Sequence, residues 1–287
     1  MKLLLTYLSF VFFSSTVLAG ISIKKIADLP DEIEETSGIE MYKNKYLLSH
    51  NDSGNDPVLF VFDLNGKLVK KIRITNVKNI DWEDIAIDDE GNVFIADIGN
   101  NANNRKAVFI YKLASEVLES RKTEAEVEVI QLSYADQTAY PPKEAALNYD
   151  AEALIWKDDS LFILTKCRTV PFSGRSYVYA IPAKKGNYHV KPGGFVQFCN
   201  SGWRSCSVTA ADYDPKTKTL AALLYGKLCL IRNFKGNRFW EGDITTYNLP
   251  GIKQREAICF GEREELFMTD EYHRLVGGGN LYKITLK

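Results

Sequence analysis

Glu83-Asp84-Ile85-Ala86-Ile87-Asp88-Asp89-Glu90-Gly91-Asn92-Val93-Phe94-Ile95-Ala96-Asp97 is two short apolar runs about an Asp-Glu-Gly turn, and the chain repeats that plan five times. The copies open at Ser37-Gly38-Ile39, Glu83-Asp84-Ile85, Glu152-Ala153-Leu154, Thr209-Ala210-Ala211 and Glu256-Ala257-Ile258. Turn residues follow at Lys43-Asn44, Asp89-Glu90-Gly91, Asp158-Asp159, Pro215-Lys216 and Gly261-Glu262, and a second apolar run re-enters at 45–49, 92–97, 160–166, 219–225 and 265–270. Third runs lie at 58–64, 106–113, 176–181, 227–233 and 280–285. Fourth runs are visible after four copies, at 68–74, 127–132, 194–198 and 244–249. Short runs bounded by Gly, Asn, Asp and Pro, with no long helical period, read as an all-β chain. The polar stretch 114–126 is the best helical candidate, and it falls inside an insertion.

The fifth copy lacks a fourth run, while a spare one stands at 21–28. Pairing the two closes a ring and removes an exposed sheet edge. The spacings between copies, 46, 69, 57 and 47 residues, suit four-stranded blades with insertions. The expected architecture is a five-bladed β-propeller, its last blade closed by the N-terminal strand.

Ahead of that ring, residues 1–19 combine Lys2, an apolar run from Leu3 to Phe13, and Val17-Leu18-Ala19 before Gly20. That order predicts a removable export signal, with one propeller domain over 20–287 in the periplasm or secreted. The apolar run is shorter than the roughly 20 residues a membrane span needs, so no stable insertion is expected once it is removed. The formal charge of −1 gives no footprint for nucleic acid. A monomer is expected. Cys199 and Cys206 flank a six-residue segment that could close as a disulfide in an exported protein. Cys229 and Cys259 sit inside apolar runs and read as small hydrophobes.

The first strand of each blade lines a propeller's pore. Ser37, Glu83, Glu152, Thr209 and Glu256 should therefore form one ring around the axis. Three carboxylates in a narrow pore repel one another unless protons or a cation intervene. Oxygen ligands of this kind, without thiolate or imidazole, suit calcium. The plainer account is a water-filled pore lined with polar groups.

The ring order resembles that of the soluble calcium-activated nucleotidase (apyrase) family, which implies five blades and an axial calcium. That family's other motifs have no counterpart here, so its nucleotide hydrolysis is not carried over. A wider resemblance covers nearly the whole mature chain. Asp81-Trp82-Glu83-Asp84-Ile85-Ala86, Ala96-Asp97-Ile98-Gly99-Asn100-Asn101 with Arg105, Asp150-Ala151-Glu152-Ala153-Leu154, Thr165-Lys166, Thr209-Ala210-Ala211-Asp212 and Arg255-Glu256-Ala257-Ile258 are similar to a bacterial family of exported propellers. That resemblance implies the fold and no activity.

Loops after the second strands emerge on the face where the ring begins. They bring His50, Asn51 and Asp52, then Asp97, Asn100, Asn101 and Arg105, then Lys166 and Arg168, Tyr225, and finally Asp270, Glu271 and His273 to one funnel. Asp81 and Asp150 precede their glutamates by two residues and should sit above the ion. A cation beneath a rim of both signs suits a small anionic ligand. On a catalytic reading, Asp97 or Asp150 is the general base, and Lys166, Arg168 and Arg105 neutralise developing charge. His50, Asn51, Asn100, Arg105, Tyr225, Asp270 and Glu271 would then contact the ligand. Three outcomes stay open: a calcium-dependent hydrolase of a phosphate ester or lactone, a binding module for a ligand, glycan or peptide, and a structural calcium with function elsewhere.

Overall fold

The computed structural model describes residues 20–251, 253–262, 265–275 and 277–286; the expected export segment, 1–19, lies outside the described residues. Five antiparallel sheets form five blades. Blade one comprises Thr36–Tyr42, Tyr46–Asn51, Val58–Asp63 and Leu68–Ile74. Blade two is Trp82–Ile87, Val93–Asp97, Val108–Leu113 and Glu128–Tyr134; blade three is Asp150–Lys157, Ser160–Lys166, Arg175–Pro182 and Gly194–Gln197. Val208–Asp214, Thr219–Leu224, Lys227–Arg232 and Asp243–Asn248 make blade four. Blade five joins Arg255–Phe260, Glu265–Asp270 and Asn280–Leu286 to Ile21–Asp28, which pairs antiparallel from Ile21 opposite Leu286 to Asp28 opposite Asn280. The ring is closed as the sequence predicts.

Two strands were not foreseen. Glu124–Ala125 adds to Leu68–Ile74 in parallel, and Gly186–Val190 adds in parallel to Glu128–Tyr134. Each ties an insertion from one blade to the outer edge of the blade before it. A two-residue strand has no periodicity to read. Gly186–Val190 has one face on the edge of blade two and the other in solvent, so its burial gives no core signal. The expected helical stretch at 114–126 is one short helix, Ser115–Glu119, followed by that two-residue strand.

The core is not central. It lies in five apolar layers, one per seam between successive blades. Leu48, Ile72, Trp82 and Ile95 fill the first seam, and Phe94, Leu154, Ile163 and Tyr179 the second. Leu164, Leu220 and Phe239 fill the third, Leu223, Leu230 and Met268 the fourth, and Ile39, Phe62 and Phe267 the last. Each buried aliphatic or aromatic side chain contributes about 1.5–3 kcal/mol, so stability is spread around the ring rather than focused on the pore. Cys199 and Cys206 are bonded with Cα atoms 5.5 Å apart, while Cys167, Cys229 and Cys259 are free and buried.

Asp84 pins the middle of the pore. Its Oδ2 accepts the Leu154 N–H of blade three at 2.9 Å and the Ala211 N–H of blade four at 3.3 Å, and its Oδ1 accepts the Ile85 N–H at 2.9 Å. These buried amides of Ile85, Leu154 and Ala211 rely on the one carboxylate, and an unmade buried hydrogen bond costs about 1–3 kcal/mol. Replacing Asp84 by Asn sets an NH2 group against backbone donors. Asp84→Asn should lower unfolding stability by about 2–4 kcal/mol in urea titration; a loss below about 1 kcal/mol would show that the pin is dispensable.

Candidate functional site: a carboxylate-rich funnel

Each inner strand carries a register slip at the ring position: between Ser37 and Ile39, Trp82 and Asp84, Ala151 and Ala153, Val208 and Ala210, and Arg255 and Ala257. A bulge places two residues opposite one and re-aims a side chain. In four blades the bulged residue is the ring residue itself, Glu83, Glu152, Thr209 or Glu256, whereas Ser37 stands one residue before its bulge. In blade one the slip falls at Gly38, whose φ of +66° and close approach to the Asp84 backbone exclude a side chain. Ser37 uses its hydroxyl proton on the Glu83 carbonyl oxygen at 2.8 Å, tying blade one to blade two.

Two compact carboxylate triads result, and Glu83 belongs to both. Asp52, Asp81 and Glu83 present oxygens within 4.8 Å of one another, as do Glu83, Asp150 and Glu152. At that separation each pair of charges repels by about 3 kcal/mol at an effective dielectric of ~20. Glu256 is on the same ring but in neither triad, and the neighbouring Lys166 and Tyr225 offset part of the upward shift that burial gives its carboxyl. Thr209 Oγ1 is buried, 3.5 Å from the Leu223 carbonyl oxygen. Gly99 makes the first triad possible, because a Cβ built there would overlap Glu83 Oε1 and the Asp81 carboxylate.

Cations reach only one triad. Lys166 Nζ lies 2.9 Å from Glu152 Oε1 and donates to the Tyr225 hydroxyl at 3.1 Å. Arg168 pairs with Asp150, hydrogen-bonds Asn101, and has Nη2 3.7 Å from Glu152. Burial alone would deprotonate Lys166, but Glu152 beside it holds its pKa well above the ordinary lysine value. Asp52, Asp81, Glu83, Glu256 and Glu271 have no ion-pair partner among the described residues. Burial first, then Glu152, Asp52, Asp150 and Asp81, push the Glu83 carboxyl well up. Burial likewise raises Asp81 to about 6 and Glu256 and Glu271 to about 8.

Several expected funnel residues belong to the scaffold instead. Asp97 is fully buried, taking Arg105 Nη2 at 2.8 Å and the Tyr111 hydroxyl at 2.8 Å, so it has no free edge for a general base. Asp270 repeats this arrangement in blade five with Lys253, Tyr282 and Asn280. Asp150 is likewise committed, to the Asn100 N–H at 2.7 Å and to Arg168. Asn100 accepts the Asn104 and Arg105 amides and donates to the Tyr149 carbonyl, and Arg105 also donates to the Gly99 carbonyl. His50 is fully buried, edge-on to Trp82 at 5.4 Å, and burial drops its pKa to about 4. Asn51 donates to the Glu32 carbonyl. What remains open to the funnel is Lys166, Arg168, Tyr225 and Glu271 from the expected set. Asp81, expected above the ion, and Asp52, expected on the funnel face, join Glu83 directly. The bulge that re-aims Glu83 toward them leaves no mark in the residue pattern, so the pattern alone does not single them out as ligands.

No family model matches the sequence, and no curated protein matches it. Solved structures share the fold. A putative gluconolactonase is 11% identical, with 93% of each chain covered and a TM-score of 0.52. The calcium-binding protein regucalcin from Agrobacterium tumefaciens is 12% identical, over 92% of this chain and 93% of that one, with a TM-score of 0.50. A protein of unknown function from Bacteroides thetaiotaomicron is 10% identical, over 94% and 76%, with a TM-score of 0.52. At such identities the likeness is one of β-propeller fold.

The raised carboxyls fix a pH dependence. The unfolded chain releases these protons near pH 4 to 4.5, whereas the fold retains those of Glu256 and Glu271 to about 8 and that of Asp81 to about 6. Between those limits the unfolded state binds fewer protons, so stability falls as pH rises. In chelator, the melting temperature should be higher at pH 5.5 than at pH 8, and calcium should restore the loss at pH 8. A melting temperature that rises with pH in chelator would contradict the cluster. Gly99→Ala should weaken calcium binding by about tenfold or more in calorimetry while leaving the fold cooperative; unchanged affinity would remove Glu83 and Asp81 from the cation's reach.

Proposed function

We propose that this chain is an exported, monomeric, calcium-dependent hydrolase of a small anionic substrate, a lactone or phosphate ester. One observation carries the reading: the shared, buried Glu83 has no counter-charge, while Lys166 and Arg168 stand across the same funnel. The donors fit a hard divalent ion. They are all oxygen, they converge within 4.8 Å, and they are carboxylates that burial leaves uncompensated. Asp52, Asp81 and Glu83 would hold it. When bound, calcium would polarise a carbonyl or phosphoryl oxygen.

The chain's own residues supply the rest. Arg168, about a third of its side chain exposed, offers guanidinium hydrogens to the substrate's negative charge. Lys166, held by Glu152 and Tyr225, adds fixed positive potential beneath it. Glu271 is half-buried at the funnel wall, oriented by the Gln254 amide at 2.9 Å, and its pKa of about 8 poises it to carry a proton near neutrality. A protein with this fold named as a putative gluconolactonase and another named as calcium-binding are compatible with this chemistry, though they share too few residues to assign it. A second reading, ligand binding without turnover, is favoured by the commitment of both Asp97 and Asp150 to scaffold contacts.

The test is turnover of lactones and aryl phosphate esters by the purified protein, with calcium and with chelator. Chelator-sensitive activity that falls by about a hundredfold or more in Glu83→Gln is expected. Glu271→Gln should cost a similar factor and remove a limb of the pH profile. Turnover indifferent to chelator would overturn the reading, and silence across the panel with calcium-dependent ligand binding would establish the second.

A further inference from the structure

The other end of the pore holds a separate site. A cavity of about 920 Å3 opens there, walled by the far ends of the inner strands and the turns that follow them, with all five blades contributing. Glu40 and Asp212 line it, and Trp156, Tyr213, Phe234 and Phe260 are half-exposed on its walls. Glu40 is more than nine-tenths buried. Its Oε1 accepts the Met41 N–H at 2.7 Å, and its Oε2 has no hydrogen-bond partner among the described residues. Asp212 accepts the Phe260 and Tyr213 amides at 2.7 and 2.6 Å. Neither carboxylate has an ion pair among the described residues. Asp84, pinned by three amides, stands between this pair and the funnel.

We propose that this cavity binds an organic cation, an alkylammonium or guanidinium group on an apolar body. Three observations select that class. Glu40 is nine-tenths buried with one carboxylate oxygen unpartnered among the described residues, an arrangement that a cation entering the cavity would satisfy. Glu40, Asp84 and Asp212 do not converge as a compact triad among the described residues, unlike the funnel acids, so a small metal ion is poorly served. Aromatic walls favour a cation with carbon attached. The cavity already contains one such contact: Lys157 Nζ lies 5.7 Å from the centre of the Tyr213 ring, held there by Asn237 and Asp158. The carboxyls respond to this setting as unpaired groups do. Burial, with Asp212 alongside, pushes Glu40 up, and burial takes Asp212 to about 6.

The cation could be a free amine or the side chain of a basic peptide. Calorimetry on the calcium-saturated protein, with cadaverine, agmatine, a short arginine-containing peptide and 1,5-pentanediol, distinguishes these. One-site binding of an amine or the peptide, not shared by the diol, is expected. It should weaken about tenfold in Glu40→Gln and about threefold in Asp89→Lys, an exposed turn residue on the cavity wall whose change leaves the core untouched. Tighter binding of the peptide identifies a side chain as the source, and binding of the free amines alone identifies a small molecule. No binding of any cation at millimolar concentration, equal binding of the diol, or affinity unaffected by both Glu40→Gln and Asp89→Lys would overturn the proposal. Because the funnel stays loaded with calcium, failure here is distinct from failure of the hydrolase reading.

Discussion

Convergence of like charge on one axis is the constraint on which the rest of this molecule turns. Closing five blades brings five equivalent positions together, and the sequence puts a carboxylate at three of them. The fold relieves part of the repulsion with its own cations. Lys166, at the end of blade three's second strand, reaches Glu152, and Arg168, two residues on, reaches Asp150. The positions that match Lys166 by register in the other blades are Asn51, Ile98, Tyr225 and Glu271, none of them basic. Relief is therefore one-sided. Blade three is neutralised, and blades one, two and five keep unpaired acids.

That asymmetry moves the favoured cation position off the axis. An ion midway between Glu83, Glu152 and Glu256 would sit beside the Lys166 ammonium and lose much of the attraction it was meant to gain. Asp52, Asp81 and Glu83 offer three oxygens with no ion-pair partner among the described residues. Gly99 clears the space that a methyl group would fill. The seam between blades one and two is thus the electrostatic minimum for a divalent ion, and Arg168 faces it from blade three.

The architecture was legible because each blade repeats apolar runs and turn residues at fixed order, and because a spare first strand matches a missing last one. Glu83, Glu152, Thr209 and Glu256 share one bulge position, while Ser37 falls one residue before the matching bulge at Gly38. The site around them was less legible for a physical reason. A bulge depends on backbone register, not on side-chain polarity, so the sequence placed Asp81 above the ion and Asp97 in the funnel without showing which of them reaches Glu83. Yet one faces a triad and the other is locked between Arg105 and Tyr111. Asn100, expected to contact the ligand, is instead committed to the Tyr149 carbonyl and the Asn104 and Arg105 amides. Gly99 was readable as a turn glycine but not as the clearance for two carboxylates.

Asp84 gives the two mouths of the pore their independence. A carboxylate holding amides of blades two, three and four blocks passage by occupying the centre, and its hydrogen bonds fix the inner strands at a level between the funnel and the far cavity. Charges on either side then interact through protein and a pinned carboxylate rather than through a continuous column of water. Glu40 feels Asp212 and Asp84, whereas Glu83 feels the funnel acids. A ligand at one mouth therefore meets chemistry set by its own neighbours: compact carboxylates with two cations at the funnel, dispersed carboxylates with aromatic walls at the far end. The same repeat that crowds acids onto the axis thus yields two sites that differ in the charge density of what they can hold.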